Sequence, residues 1–249
     1  MKIIGMVHLK TLPGYPQYTS MDEVIGQAVN DALILEEGGV EAILIENTDD
    51  DPHRKEVLPE VIAAFTLVAK AIRERVKLPI GICVLWNDYK ASLAIAKVCG
   101  ASFVRIPVFT EVVVTASGVI EAEPYEVISY RQKLNAGNIK IMADIQVKHA
   151  AMLAKRPIEE SAKEALHFGA DEIIITGRFT GDSPNIEELK KVIEACPEAT
   201  IVIGSGTSPD NFKELSKYAD KAIVGTYFKE EGVVSLEKVK HLMSIASEN

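Results

Sequence analysis

The chain has 249 residues, 47% hydrophobic and 25% charged, values typical of a globular protein that can bury a sizeable core. Its net charge of −9 argues against nucleic acid or an anionic membrane as the main partner, because both require a basic surface; a small anionic ligand needs only a local positive site. Three scattered cysteines, Cys83, Cys99 and Cys196, form no CxxC or Cys/His cluster, which speaks against a disulfide framework or structural zinc and for a reducing cytoplasm.

The first β-rich run is Ile3 to His8. It is too briefly apolar for a signal peptide, and no run in the chain approaches the roughly 20 residues that span a bilayer. Residues 9–19 form a loop with Pro13, Gly14 and Pro16. Ser20 caps a helix whose apolar face holds Val24, Ala28, Ala32 and Leu35 and which stops at Gly38 and Gly39. The second strand is Ala42 to Glu46, followed by a polar loop and a helix from about Val57 to Val76. The third strand, Pro79 to Leu85, ends in Trp86, Asn87 and Asp88. After another helix, closed by Gly100, comes the fourth strand, Ser102 to Ile106.

Residues 112–120 read as a small β-hairpin turning near Ser117 and Gly118, an insertion placed to act as a lid. A helix near 124–135 leads to the fifth strand, Ile139 to Ile145. A helix near 158–168 precedes the sixth, Glu172 to Thr176. Asp182 to Pro184 then starts a helix with proline in its first turn. The seventh strand begins at Ile201 and ends in Gly204, Ser205 and Gly206, and Ser208 with Pro209 opens a short helix. The eighth ends in Gly225 and Thr226, and a helix from about Ser235 to Ile245 closes the series.

Eight strand–helix units with no Pro/Gly-rich linker predict an α/β chain, a single TIM (β/α)8 barrel domain over residues 1–249, of phosphate-binding type, with a hairpin insertion after strand 4. The alternative, an open doubly wound sheet, usually carries a glycine fingerprint after its first strand; here that place holds Val7, His8, Leu9 and Lys10.

In such a barrel the active face is built from the loops after each strand. The polar residues there are His8, Glu46 with Asn47, Asn87 with Asp88, Arg105, Asp144 with Lys148 and His149, and Thr176. Gly204, Ser205 and Gly206, together with Gly225 and Thr226, form two glycine loops where backbone N–H groups can approach an oxyanion closely. Tight βα turns would also use glycine, so the loops become informative as a pair in the last two units.

Lys148 and Asp144 are the acid–base or Schiff-base candidates, with a structural ion pair as the competing account. His8 and Glu46 complete the catalytic set; they can share a proton or, with Asp144 or His149, offer a divalent ion an N/O site. No ligand motif such as HxH marks an obligatory metal, and no cofactor is assigned. Asn47, Asn87, Asp88, Arg105, His149 and Thr176 are the substrate-binding candidates. Arg105, inside an apolar strand, needs an anion: a substrate group, Glu46 or Asp144. The run Asp49 to Asp51 fits a solvated loop, and Cys83 fits the core.

Several stretches together resemble the BtpA family, which includes SgcQ-like bacterial proteins. They are Ile4 to Gly14, Ile45 to Asn47, Val84 to Asp88, Ala143 to His149, Thr176 to Gly181, Val202 to Gly206 and Val224 to Thr226, and they cover nearly the whole chain. The resemblance implies a phosphate-binding-type TIM barrel. The family is named for a role in photosystem I accumulation in cyanobacteria, and the resemblance carries no particular reaction. A more distant likeness to phosphoribosylanthranilate isomerase fails at the first strand, where that family uses a cysteine and this chain has His8.

Two functional readings follow. One is a lyase or isomerase performing proton-transfer or aldol-type chemistry on a small phosphorylated metabolite. The other is a non-catalytic biogenesis or assembly factor of the photosystem I type. The expected partners are the phosphorylated ligand and further copies of the chain.

Overall fold

The computed structural model describes residues 1–248. Eight parallel strands close into a barrel: β1 (Lys2–His8), β2 (Ala42–Glu46), β3 (Ile80–Cys83), β4 (Phe103–Ile106), β5 (Lys140–Ile145), β6 (Glu172–Ile175), β7 (Ile201–Ile203) and β8 (Lys221–Val224). The ring shuts where β8 pairs in parallel with β1, Val224 opposite Gly5. Eight helices cover it: α1 (Met21–Gly38), α2 (Pro59–Arg75), α3 (Tyr89–Cys99), α4 (Pro124–Lys133), α5 (Ile158–His167), α6 (Ile186–Ala195), α7 (Pro209–Leu215) and α8 (Leu236–Ser247). The fold is the TIM barrel that the alternating pattern predicts.

The helix boundaries follow capping chemistry. Ser20 Oγ accepts the Glu23 amide at the start of α1. Gly39 ends that helix at φ 93°, a left-handed conformation that glycine adopts without Cβ strain. One expectation shifts: Pro184 does not sit inside α6. Asn185 caps that helix, its Oδ1 accepting the Glu187 amide at 2.8 Å, and Pro184 lies just ahead of the cap.

Residues alternate between two environments. Odd residues of β1, such as Ile3 and Val7, join the large layer between sheet and helices, whereas Ile4 and Met6 face the barrel interior with Leu44, Cys83, Phe103, Met142, Ile174, Val202 and Ile223. The Phe103 ring occupies the space beside Gly81, where a Cβ would lie 2.0 Å from its Cε2. The N-terminal end of the interior is sealed by charge. Glu172, fully buried, accepts Lys140 Nζ at 2.9 Å and Lys221 Nζ at 2.7 Å.

Between β4 and α4, Val113–Thr115 pairs antiparallel with Gly118–Ile120. A third short strand after β5, Ala151–Met152, pairs with Val113 and Val114. Val108, Val113, Ile120 and Val147 form a small separate core there, with Trp86 packed against it.

Candidate functional site

The two-residue period that turns Ile4 and Met6 inward also turns His8 inward at the C-terminal end of β1. The same parity places Glu46, Arg105 and Asp144 at the tops of β2, β4 and β5. His8 lies opposite Glu46 in the β1–β2 register. Arg105 donates to Asp144 through Nε and Nη2, both at 2.8 Å, and through Nη1 to Glu46 at 3.3 Å. All three side chains are buried. Burial would lower the Arg105 pKa, but Asp144 and Glu46 outweigh it and the guanidinium stays charged. Burial likewise pushes Glu46 up, while Arg105, His8 and Lys148 pull harder and hold it below the ordinary carboxylate value. Burial drives the His8 pKa down to about 4 against the opposing pull of Glu46. At neutral pH His8 is therefore an uncharged imidazole, and its buried Nδ1 has no hydrogen-bond partner.

Lys148 reaches the same place from the loop after β5. Gln146 and His149 flank it at φ 52° and 59°, left-handed conformations that carry a cost for side chains other than glycine. The Gln146 amide donates to Glu111 at 3.1 Å and its side chain to Arg156 O at 3.1 Å, which holds the turn. The consequence is that Lys148 and His149 face one cavity, although consecutive residues of a strand would point apart. Lys148 makes no ion pair among the described residues. Burial, then the Arg105 charge, lowers its pKa below the ordinary lysine value.

Two adjoining cavities open at this end of the barrel. The first, about 390 Å³, runs from His8, Glu46, Arg105 and Lys148 to the glycine loops. Gly204 to Ser208 and Val224 to Tyr227 form its far wall. Glycine is required at two points there. A Cβ on Gly206, at φ 73°, would lie 2.2 Å from the Ser183 amide nitrogen, and one on Gly225 would lie 2.8 Å from His8 Cε1. The Ser205 hydroxyl is already occupied, accepting the Gly177 amide at 3.1 Å and donating to Asp182 O at 2.7 Å. The buried Thr207 hydroxyl lines the cavity and has no partner. The second cavity, about 460 Å³, shares His8, Glu46, Arg105 and Lys148 and continues toward Leu85, Trp86, Pro107 and Val147.

Four of the expected substrate-binding side chains are used elsewhere. Asn47 Oδ1 accepts the Leu85 amide at 2.8 Å, and its Nδ2 donates to Asp50. Asn87 clasps both backbone groups of Val108, at 2.8 Å each. Asp88 caps α3 through the Ala91 amide and holds the Val57 amide as well. Thr176 Oγ1 accepts the Lys148 amide at 3.1 Å, positioning that loop. None of the four lines either cavity.

Asp144 is wholly buried behind Arg105, with both oxygens engaged. It is thus closed off as a base and as a partner for His8 and Glu46 in an N/O metal site. Among the described residues no group of three or more His, Cys, Asp or Glu is placed to hold a metal ion. The cavities also bring in residues that the strand-end rule passed over: His53, Trp86, Thr180, Thr207 and Lys229. Thr207 directly follows the first glycine loop and Trp86 the third strand; the others come from loops that return to the mouth only in three dimensions.

The chain matches the model of the BtpA family over residues 1–248. It is 43% identical over 249 residues to an uncharacterised protein of Pyrococcus furiosus, covering 97% of this chain and 93% of the relative. It is 37% identical over 236 residues to the photosystem I biogenesis protein BtpA of Synechocystis, covering 94% of this chain and 82% of that one. A solved structure of phosphoribosyl anthranilate isomerase from Thermus thermophilus superposes with a TM-score of 0.64 at 14% identity, covering all of both chains, a likeness of fold alone. The chain is a TIM barrel that belongs to the BtpA family.

Proposed function

We propose that the double cavity binds a small phosphorylated carbonyl compound and that the chain acts on it as a lyase or isomerase, by proton transfer or aldol-type chemistry. The observation that carries this reading is Lys148. Its side chain is half-buried and lines both cavities, without an ion-pair partner among the described residues, with a pKa pulled below the ordinary lysine value by burial and Arg105. A desolvated lysine beside another cation is the usual state of a Schiff-base nucleophile.

The chemistry then distributes as follows. The neutral amine adds to the ligand carbonyl, the oxygen takes up protons and leaves as water, and an iminium remains. That cation withdraws electrons from the neighbouring carbon, so a proton there passes to a nearby base. His8, uncharged and with an unpartnered Nδ1, and Glu46, ionised under the pull of Arg105, are the two groups that line the cavity and can take it. Asp144 acts on Arg105 and so is a positioning residue. Phosphate suits the opposite wall because the Thr207 hydroxyl is orphaned there and Gly206 and Gly225 line it without side chains. The α7 helix has only seven residues, so the loop backbone and the Thr207 hydroxyl, rather than a long helix dipole, hold the phosphate.

Borohydride reduction in the presence of triose and pentose phosphates tests the reading. The expected result is a stable mass adduct on Lys148, absent from Lys148→Ala. If no adduct forms with any of these compounds, the Schiff-base chemistry is wrong. The family relative in Synechocystis bears a biogenesis name, and the corresponding non-catalytic role predicts that Lys148→Ala leaves cellular function intact.

A further inference from the structure

The two cavities differ in chemistry. The first is walled by glycine backbone and small hydroxyl residues on the β7 and β8 side. The second carries a continuous apolar wall, Leu85, Trp86, Pro107 and Val147, on the β3, β4 and β5 side. We infer that the ligand is a phosphate ester whose far end is a flat heteroaromatic ring, apolar on its faces and polar at its edge, seated against Trp86 in the second cavity. This rests on the phosphate reading above and extends it to substrate class.

Three observations support it. The second cavity, about 460 Å³, falls within the usual size range of small-ligand sites of roughly 300–1,000 Å³. A triose phosphate anchored at the glycine loops would stay within the first cavity and leave the apolar wall facing water. A longer ligand would pass Lys148, which lines both spaces, and cover that wall.

The wall is also backed by structure. Val147 belongs to the small core made with Val108, Val113 and Ile120, and Trp86 packs against that core. A tryptophan held in place offers a face to a ring partner, and stacked or tilted ring pairs gain beyond simple area burial.

Finally, the rim carries polar groups suited to the edge of a heteroaromatic ring: Thr48, His53 and Lys229. Lys229 makes no ion pair among the described residues. His53 is oriented by contact of its Nε2 with Asn47 O at 3.2 Å. Thr48 Oγ1 donates to Glu46 Oε1 at 3.1 Å, so Lys229 is the rim group that a purely aliphatic tail would leave unused.

Trp86 is the chain's single tryptophan, so its fluorescence reports on this wall alone. Adenosine monophosphate and methyl ribofuranoside 5-phosphate form a matched pair: the second lacks the base and has no free carbonyl to react with Lys148. Affinities are measured by thermal shift and calorimetry, with tryptophan emission followed in parallel. The expected result is at least tenfold tighter binding of adenosine monophosphate, accompanied by a change in Trp86 emission that the riboside does not produce. Trp86→Leu should bring the two affinities together while leaving that of the riboside unchanged. Leu85→Gln gives the same reading if that variant does not fold. Equal affinities in the unmodified protein, with no change in emission, would overturn the ring subsite and leave phosphate binding standing. Failure of both esters and of inorganic phosphate to bind would instead remove the phosphate reading and the ring subsite with it.

Discussion

Arg105 grips Asp144 with two parallel 2.8 Å hydrogen bonds and touches Glu46 with its remaining nitrogen at 3.3 Å. The fork geometry divides the labour between two carboxylates that look alike in sequence. Asp144 is spent on holding the guanidinium, and Glu46 keeps one side toward the cavity. Replacing Arg105 by methionine leaves both acids buried and unpaired. Breaking such a buried pair costs about 3–5 kcal/mol. Chemical denaturation should show a loss of that order; a change below about 1 kcal/mol would mean that water reaches these carboxylates.

Acid sensitivity should trace to His8. Burial lowers its folded pKa to about 4 from the ordinary histidine value of 6.5. Between those pH values the unfolded chain binds a proton that the folded chain does not, so stability is fully present above pH 6.5 and falls as pH drops toward 4. The shift corresponds to about 3 kcal/mol. Denaturation midpoints measured from pH 7 to 4 should fall less steeply in His8→Asn, and identical slopes in the two proteins would refute the assignment.

Two glycines should respond in opposite ways to alanine. A Cβ on Gly206 meets the backbone of Ser183 at 2.2 Å and must adopt φ 73°. Gly206→Ala should lose about 1–3 kcal/mol and weaken binding of inorganic phosphate. Gly26, in the middle of α1 with nothing within 4 Å of its Cβ position, should gain roughly 0.5–1 kcal/mol on the same change. Calorimetric melting of both variants checks the pair of signs.

The opposite end of the barrel supplies a control. Glu172 is fully buried between Lys140 and Lys221. Glu172→Gln weakens both contacts and should lower the melting temperature while leaving ligand affinity at the mouth unchanged. A variant that loses affinity as well would show that the two ends of the interior are mechanically linked.

The barrel was readable because its strands are short apolar runs bounded by capping and turn residues. Ser20 and Gly39 bracket α1 as those residue types should. His8, Glu46 and Arg105 could be singled out as well, because polar residues at strand ends with the interior parity have nowhere to point except the mouth. Asn87 and Asp88 illustrate where that rule stops. A polar side chain at a strand end can serve its own loop, and whether it clasps Val108, caps α3 or meets a ligand depends on chain that lies far off in sequence. His53 and Lys229 escape for the same reason: each sits in a connecting segment whose return to the mouth is a property of the closed ring, whereas Trp86 follows the third strand directly and escapes because the rule counts only polar side chains.

Gly225 packs against the His8 ring, so the wall of the first cavity joins residues more than two hundred positions apart along the chain. During synthesis His8 emerges early and waits for almost the whole polypeptide before its neighbour exists. Under the proposed reading no partly made chain can hold the ligand, because the groups proposed to grip it meet only when the last strand seals the ring against the first. The proposed ligand capture would thus double as an inspection of completed assembly: only a finished molecule could be stabilised by what it binds.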